Sequence, residues 1–288
     1  MNTQFMHRGG FEGSSTSRRY LAPSDPQNDR SYVCDFDLSG SCPYTAGEML
    51  YVNYDPTLVA LSFVYAFIGA FLATTFIGTL REVSSGPWFW SFTAKAALAL
   101  GCCCVWAMHF FGIGALELGN KKAILNDGSE ASYTANLLIW LNLPLTIASA
   151  VIVTLCVFAA VCILARRKTL EKMTFSKLRF VLATCLTGTG VILMHYSGMA
   201  AMNGRFEMTY DIGLVALSCA LAYIVSAVGF AILLFLPSVF WVQLLASFVI
   251  ALAVCSVHYT GSVAVAYSSR ERVDWGASGF DSAMWTII

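Results

Sequence analysis

The chain has 288 residues, of which 17 are basic, 17 are acidic and 57% are hydrophobic. Charged residues make up 12%, against about 25% in ordinary soluble domains, so a soluble globular protein is excluded. The zero net charge also argues against nucleic-acid binding, which needs a basic surface. The composition predicts a protein whose partner is the lipid bilayer.

Residues 1–56 form a polar N-terminal segment with many Gly, Ser and Pro residues. We expect this segment to be largely disordered and extracellular, by the charge argument given below. No apolar stretch follows Met1, so no cleavable signal peptide is predicted. Cys34 and Cys42 lie in this segment and are candidates for a disulfide on the oxidising outer side.

Six continuous apolar stretches follow, each close to the length of about 20 residues that a helix needs to cross a bilayer. They are Thr57 to Leu80, Phe89 to Leu116, Leu138 to Ala165, Phe180 to Met202, Ile212 to Leu236, and Val239 to Tyr267. Their hydrophobicity is continuous and does not alternate, which disfavours membrane strands. The predicted fold is therefore an all-α, polytopic membrane helix bundle.

Basic residues concentrate in the connection after the third stretch. The six are Arg166, Arg167, Lys168, Lys172, Lys177 and Arg179. The positive-inside rule places this connection in the cytoplasm, which puts the N-terminus outside. Lys121 and Lys122 fall on the outer side and fit the rule less well.

Three of the four histidines occupy matching places in the second, fourth and sixth stretches. The motifs read Met108-His109-Phe110-Phe111-Gly112, Met194-His195-Tyr196-Ser197-Gly198 and Val257-His258-Tyr259-Thr260-Gly261. Val precedes each His by four residues (Val105, Val191, Val254), and Ala follows it by six (Ala115, Ala201, Ala264). Such a match in all three is an internal repeat, whose unit is a pair of helices.

The repeat predicts a geometry. Even-numbered spans all run in the same direction, and each His lies late in its span, so the three imidazoles are expected at one depth in the outer half of the bilayer. A buried His in a membrane normally faces the bundle interior and finds a partner. Gly112, Gly198 and Gly261 lie one turn after each His on the same face, where they allow a ligand or another helix to approach closely.

Soft metal donors surround the histidines. Cys255 lies three residues before His258 and Met199 four after His195, so each shares a helix face with an imidazole. Met108 and Met194 directly precede their histidines. Imidazole, thioether and thiolate together favour copper over hard cations. The hydroxyls of Tyr196 and Tyr259 are expected to orient a ligand or a ring nitrogen.

These motifs resemble the MHYT domain, an integral membrane sensor module named for Met-His-Tyr-Thr. The resemblance covers residues 57–288 and implies a bound copper ion, sensing of oxygen, carbon monoxide or nitric oxide, and an association with cyclic-di-nucleotide signalling domains. The implied metal ligands are Met108, His109, Met194, His195 and His258. Phe110 and Val257 depart from the family's Tyr and Met, and Cys255 is a candidate to replace the latter.

The resemblance also implies seven spans. Residues 281–288 end in Met284-Trp285-Thr286-Ile287-Ile288, which is interpreted as the start of a seventh helix that stops short. The downstream cytoplasmic signalling partner would then lie beyond the sequence.

The predicted function is that of a multi-pass membrane sensor without enzymatic activity, because no nucleophile with a base and no phosphate-binding loop is found. Two alternatives remain open at this point. One is a metal-ion transporter or conduit, and the other is a haem protein with two axial histidines.

Overall fold

A computed structural model describes residues 47, 49–83, 86–118, 122–124, 130–132, 139–165, 176–204, 206–235, 237, 239–269 and 284–286. Within these ranges, six helices are long and apolar enough to cross a membrane, and the strands form only two- and three-stranded sheets. The all-α, polytopic fold predicted from the sequence is confirmed, and the chain is a multi-pass membrane protein.

The six helices are numbered here as spans in chain order. They are span 1 (Pro56–Glu82), span 2 (Pro87–Gly114), span 3 (Leu143–Leu164), span 4 (Lys177–Ala200), span 5 (Ile212–Phe235) and span 6 (Phe240–Val263). Spans 1, 2 and 3 carry a Pro in their first two positions, where the fixed φ of proline favours helix initiation.

The spans pack as a closed ring, in which each contacts the next and span 6 returns to span 1. Small residues bring neighbouring helices close together, as is common in membranes. Ala66, Ala70 and Ala73 of span 1 are fully buried in the core. An added Cβ at Gly69 would overlap the backbone of Cys104 in span 2, so the two helices meet almost backbone to backbone.

Three repeats with the order strand, helix, helix, strand make up this ring. Their antiparallel strand pairs are Val52–Tyr54 with Leu116–Leu118, Trp140–Asn142 with Met202–Asn203, and Phe206–Tyr210 with Val265–Ser269. We call residues 52–118 repeat 1, residues 140–203 repeat 2 and residues 206–269 repeat 3. All three strand pairs lie at the end of the bundle where the even-numbered spans finish, here called the motif end.

One backbone hydrogen bond recurs in all three repeats. The N–H groups of Asp55, Asn142 and Asp211 donate to the carbonyls of Ala115, Ala201 and Ala264, each at 2.8 Å. These alanines are the ones that follow each motif histidine by six residues. The start of each odd span is therefore fixed to the end of the even span in the same repeat.

The same three residues cap their helices. Side-chain oxygens of Asp55, Asn142 and Asp211 accept hydrogen bonds from backbone N–H groups in the first turn, at 2.7, 3.1 and 3.0 Å respectively. Such caps satisfy donors that a helix start leaves without partners.

Removal of one cap gives a first testable prediction. Asn142→Ala should lower the free energy of unfolding by about 1 kcal/mol, because the first turn of span 3 loses its side-chain acceptor. Asn142→Asp keeps the acceptor and serves as the control. Thermal unfolding in detergent compares the two, and equal destabilisation by both would contradict a capping role.

The predicted spans extend too far at the motif end. Predicted helical residues at Leu116, Met202 and Val265 are strands in the structure, and the third span begins at Leu143 instead of Leu138. A short apolar run is compatible with either a helix or a buried strand. Here strand pairing satisfies the backbone groups just beyond the helix ends.

Span 2 contains an irregularity that the sequence did not predict. Leu98–Ala107 form a π-helix between two α-helical segments. This wider helix is rare and occurs mostly near functional sites. It ends directly before Met108 and His109, so the backbone leading into the first motif differs from that of the other two.

The remaining strands are short. Lys122–Ile124 pair with Glu130–Ser132 in a separate two-stranded unit. Met284–Thr286 pair with Trp140–Asn142, so these three residues form a strand where the start of a helix was predicted. The disulfide predicted between Cys34 and Cys42 lies outside the described residues, as do His7 and residues 166–175 of the basic connection.

Candidate metal centre

The three motif histidines lie at the same level of the bundle. His109, His195 and His258 each stand five residues before the last residue of their span. They are 1%, 4% and 3% exposed, respectively. Equal distances from the helix ends, combined with the parallel direction of even spans, bring the three imidazoles to one place inside the motif end.

The imidazoles meet through their Nδ1 atoms. Nδ1 of His109 is 2.9 Å from Nδ1 of His258 and 3.3 Å from Nδ1 of His195. One ring nitrogen from each of the three lies within 4.8 Å of the others. The three imidazoles, which the sequence predicts to be at one depth, therefore lie against one another.

The opposite ring nitrogens each contact a glycine of another repeat. An added Cβ at Gly198 would overlap Nε2 of His109, one at Gly261 would overlap Nε2 of His195, and one at Gly112 would overlap Nε2 of His258. The histidine of repeat 1 thus contacts the glycine of repeat 2, the histidine of repeat 2 contacts the glycine of repeat 3, and the histidine of repeat 3 contacts the glycine of repeat 1. The predicted close approach at these glycines is made by a neighbouring imidazole.

These nitrogens fit a transition-metal ion. Three nitrogens at the usual metal distance of 2.0–2.1 Å from one ion would be separated by about 3.4 Å, and two of the observed separations are 2.9 and 3.3 Å. The buried Nε2 atoms lack hydrogen-bond partners among the described residues. A neutral imidazole carries one proton, so an Nδ1–H of one ring can donate to the Nδ1 of the next; a bound metal ion would take the place of these protons.

The candidate sulfur ligands are buried but are not all gathered with the imidazoles. Met108, Met194 and Cys255 belong to the apolar core, and Met199 is equally buried. Cys255 is not part of the group formed by the three histidines. Metal binding by these four residues stays a prediction.

Sequence reasoning missed a second ring of contacts, which surrounds the histidines. Tyr259 donates to Ser62 Oγ at 3.0 Å, and Tyr196 donates to Ser218 Oγ at 2.7 Å. The donor is the tyrosine because each serine hydroxyl already donates to a backbone carbonyl three residues earlier. Each bond joins the motif helix of one repeat to the first helix of the next.

The first motif makes the equivalent bond with a different residue. Phe110 has no hydroxyl, but the indole Nε1 of Trp106 donates to Ser149 Oγ at 3.1 Å. Trp106 also lies close to the carbonyl of Thr146, at 3.2 Å. Trp106 thus replaces the missing tyrosine and completes the ring of three.

A sequence signal for these serines exists. Ser62, Ser149 and Ser218 each follow the capping Asp or Asn of their helix by seven residues. The tyrosines were predicted to orient a ligand; the hydrogen bonds that the structure gives Tyr196 and Tyr259 run to these serines. Both rings still contact the adjacent histidines edge-on, with centroids 4.9 and 4.8 Å apart.

Aromatic side chains lie at the motif end beyond the histidines. Tyr54 packs edge-on against Tyr259, with ring centroids 5.9 Å apart, and Tyr267 is buried. Burial, followed by the proximity of Tyr259, raises the pKa of Tyr54. Burial also raises the pKa of Tyr267, with Tyr54 and Tyr210 adding to the effect. Both phenols therefore stay neutral, and Tyr54 lies against the tyrosine that contacts His258.

Comparison with known proteins gives one family and two relatives. The model of the MHYT family, described as a bacterial signalling protein N-terminal repeat, matches residues 188–251. This match includes the second motif. No solved structure gives a significant match to the chain.

Both relatives come from Pseudomonas aeruginosa. Cyclic di-GMP phosphodiesterase NbdA is 26% identical over 234 residues, which are 80% of this chain and 27% of NbdA. The bifunctional diguanylate cyclase/cyclic di-GMP phosphodiesterase MucR is 25% identical over 244 residues, which are 83% of this chain and 32% of MucR. The chain thus matches about a third or less of these relatives' length. The resemblance predicted from the three histidine motifs is confirmed: the chain carries the MHYT signalling repeat, matched directly at residues 188–251.

Proposed function

We propose that the chain is a membrane-embedded sensor that holds a copper ion between His109, His195 and His258 and responds to a diatomic gas or to redox state. The observation that carries this proposal is the convergence of three buried Nδ1 atoms at the motif end. Imidazole suits several transition metals, and the thioethers of Met108 and Met194, which precede two of the histidines in the sequence, favour copper among them. Met108 and Met194 are the proposed additional ligands, and Met199 and Cys255 are further candidates.

The chain's own residues would orient the ion, exclude water and limit access to it. The glycine contacts fix each ring plane, and the serine ring fixes the helices that carry the histidines. The apolar core and the neutral tyrosines exclude water. A bound copper ion would supply reversible one-electron chemistry and affinity for oxygen, carbon monoxide or nitric oxide.

The relatives suggest where the signal goes. Both are named for the turnover of cyclic di-GMP, and this chain matches only a minor part of each. We propose that the chain corresponds to the sensory part of such proteins and has no enzymatic activity of its own. With the basic connection on the cytoplasmic side, the motif end faces outward and the signalling partner acts at the opposite end.

Two observations favour a sensor over the alternatives. A conduit needs metal-binding groups in both halves of the membrane, whereas the group of three found in the described part of the chain lies at the motif end. A haem needs two axial histidines on opposite faces of the porphyrin, and Nδ1 separations of 2.9 and 3.3 Å leave no space for the macrocycle.

Metal analysis of the purified protein tests the proposal. The wild type should contain about one copper ion per chain, and the triple variant His109→Ala, His195→Ala, His258→Ala should contain none. His7→Ala is the control, because it removes a histidine far from the motifs in sequence and should leave copper unchanged. Elemental analysis and optical absorption provide the measurement, with thermal unfolding to verify that each variant is folded.

Three results would contradict the proposal. They are stoichiometric zinc in place of copper, a Soret band typical of haem, or copper that survives in the folded triple variant.

A further inference from the structure

An apolar cavity lies between the spans, about one helical turn from the motif histidines. Its walls include Val105, Val191 and Val254, the valines that precede each motif histidine by four residues. Residues four apart on a helix share a face, so the cavity lies one turn below each imidazole, toward the opposite end of the bundle. Its volume is about 50 Å³.

The cavity offers almost no polar partner. Among the described residues that line it, Thr187 and Ser226 are the two with hydroxyl groups. Ser226 donates to the carbonyl of Ala222 at 2.7 Å. Thr187, which is 6% exposed, has no hydrogen-bond partner for its Oγ1 among the described residues. Because an ordered water needs two to four polar partners, the cavity is suited to a small apolar molecule.

We propose that this cavity is the binding chamber of a diatomic gas, which it holds one helical turn from the histidine centre. This inference rests on the proposed function, because the gas is the ligand proposed for the metal. The Thr187 hydroxyl is the one free donor available to a weak acceptor in the chamber. No bond forms or breaks at this step, which is binding alone.

The position of the cavity also assigns a route of access. At the motif end, Tyr54 packs against Tyr259, which contacts His258, whereas the cavity lies on the apolar side of the histidines. Phe230 and Leu233 line both this cavity and a second one, which extends to Arg81 near the end of span 1. A gas that has partitioned into the lipid would therefore enter from the apolar side of the histidines and not through the tyrosines at the motif end.

Xenon binding to the metal-free protein tests the chamber, because apolar cavities bind xenon. The protein is methyl-labelled at valine, placed in nanodiscs and treated with chelator. Methyl shifts are then recorded by NMR at increasing xenon pressure. Val191 and Val254 should shift and saturate. Val151 and Val181, which are exposed on the bundle surface, should show only a small, linear response from xenon in the lipid.

A filled cavity provides the matched comparison. An added Cβ at Gly229, which lines the cavity, meets no heavy atom within 4 Å, so Gly229→Leu should fold and abolish the saturable shifts. Val228→Leu changes the neighbouring residue, which is 45% exposed, and should retain them. Saturable shifts that survive Gly229→Leu, or cavity valines that behave like the surface ones, would overturn the proposal.

Two further arms identify the occupant and separate this inference from the proposed function. A lipid that co-purifies stoichiometrically with the wild type but not with Gly229→Leu would show that the chamber holds an acyl chain and would overturn the proposal. Copper-loaded protein is then exposed to carbon monoxide. If xenon binds but the copper-loaded protein does not respond to carbon monoxide, gas sensing at the copper is wrong. The assignment of a diatomic gas as the occupant of the cavity is then wrong as well. A carbon monoxide response without xenon binding overturns the chamber alone.

Discussion

Gly112→Ala is expected to weaken copper binding by at least about tenfold, the lower end of the effect seen when groups around metal ligands are changed. The added methyl group would overlap Nε2 of His258 and push that imidazole away from His109. Overpacking of this kind also lowers the free energy of unfolding by about 1–3 kcal/mol. Competition with a copper chelator measures the affinity, and thermal unfolding measures the stability.

The control for this variant lies two residues away in the same helix. An added Cβ at Gly114 meets no heavy atom within 4 Å, so Gly114→Ala should bind copper like the wild type. Gly198→Ala and Gly261→Ala act on His109 and His195 and should reproduce the defect of Gly112→Ala. If the three glycine variants bound copper as tightly as Gly114→Ala, the interlocked arrangement of the rings would be wrong.

Trp106→Phe should be the second large effect, with a loss of about 2–3 kcal/mol in the free energy of unfolding. The substitution removes the indole N–H that bonds Ser149 and leaves unfilled volume. The double variant Trp106→Phe, Phe110→Tyr should recover about 1 kcal/mol, because a tyrosine at 110 matches the positions of Tyr196 and Tyr259 in the other motifs. Chemical unfolding in detergent gives both values.

The specificity of this rescue is what identifies Trp106 as the substitute donor. Trp88→Phe changes a tryptophan that is exposed and should alter stability little. Addition of Phe110→Tyr to the Trp88 variant should give no recovery. A Trp106 variant that gains nothing from the tyrosine would indicate that Trp106 contributes through packing alone.

Most of the fold was accessible from the sequence because the bilayer imposes the length and apolarity of each helix. All six spans were predicted. Their ends at Gly114, Ala200 and Val263 were not predicted. Apolar residues such as Leu116 and Met202 fit a helix as well as a buried strand, so their apolarity does not mark where the helix ends. The π-helical segment before Met108 has no sequence signature of its own.

The candidate site was only partly predictable, for a related reason. The repeated motif and the common helix direction were enough to bring His109, His195 and His258 together. The pairing of His109 with Gly198 depends on which repeat follows which around the ring. The bond between Trp106 and Ser149 depends on the same order. The sequence shows that the three repeats are alike. Which repeat packs against which around the ring is known only from the three-dimensional structure.

The closure of each repeat at the motif end has a mechanical consequence. The strand pair and the hydrogen bond from Asp55, Asn142 or Asp211 to its alanine join the two helices of a repeat at one end. A helix of 24 residues, such as span 4 or span 6, is about 36 Å long. A change in tilt of about 5° around the joined end moves the far end by about 3 Å. Because this joined end lies beside a histidine, a shift of an imidazole ring that changed the helix tilt would produce a larger displacement at the opposite end of the bundle.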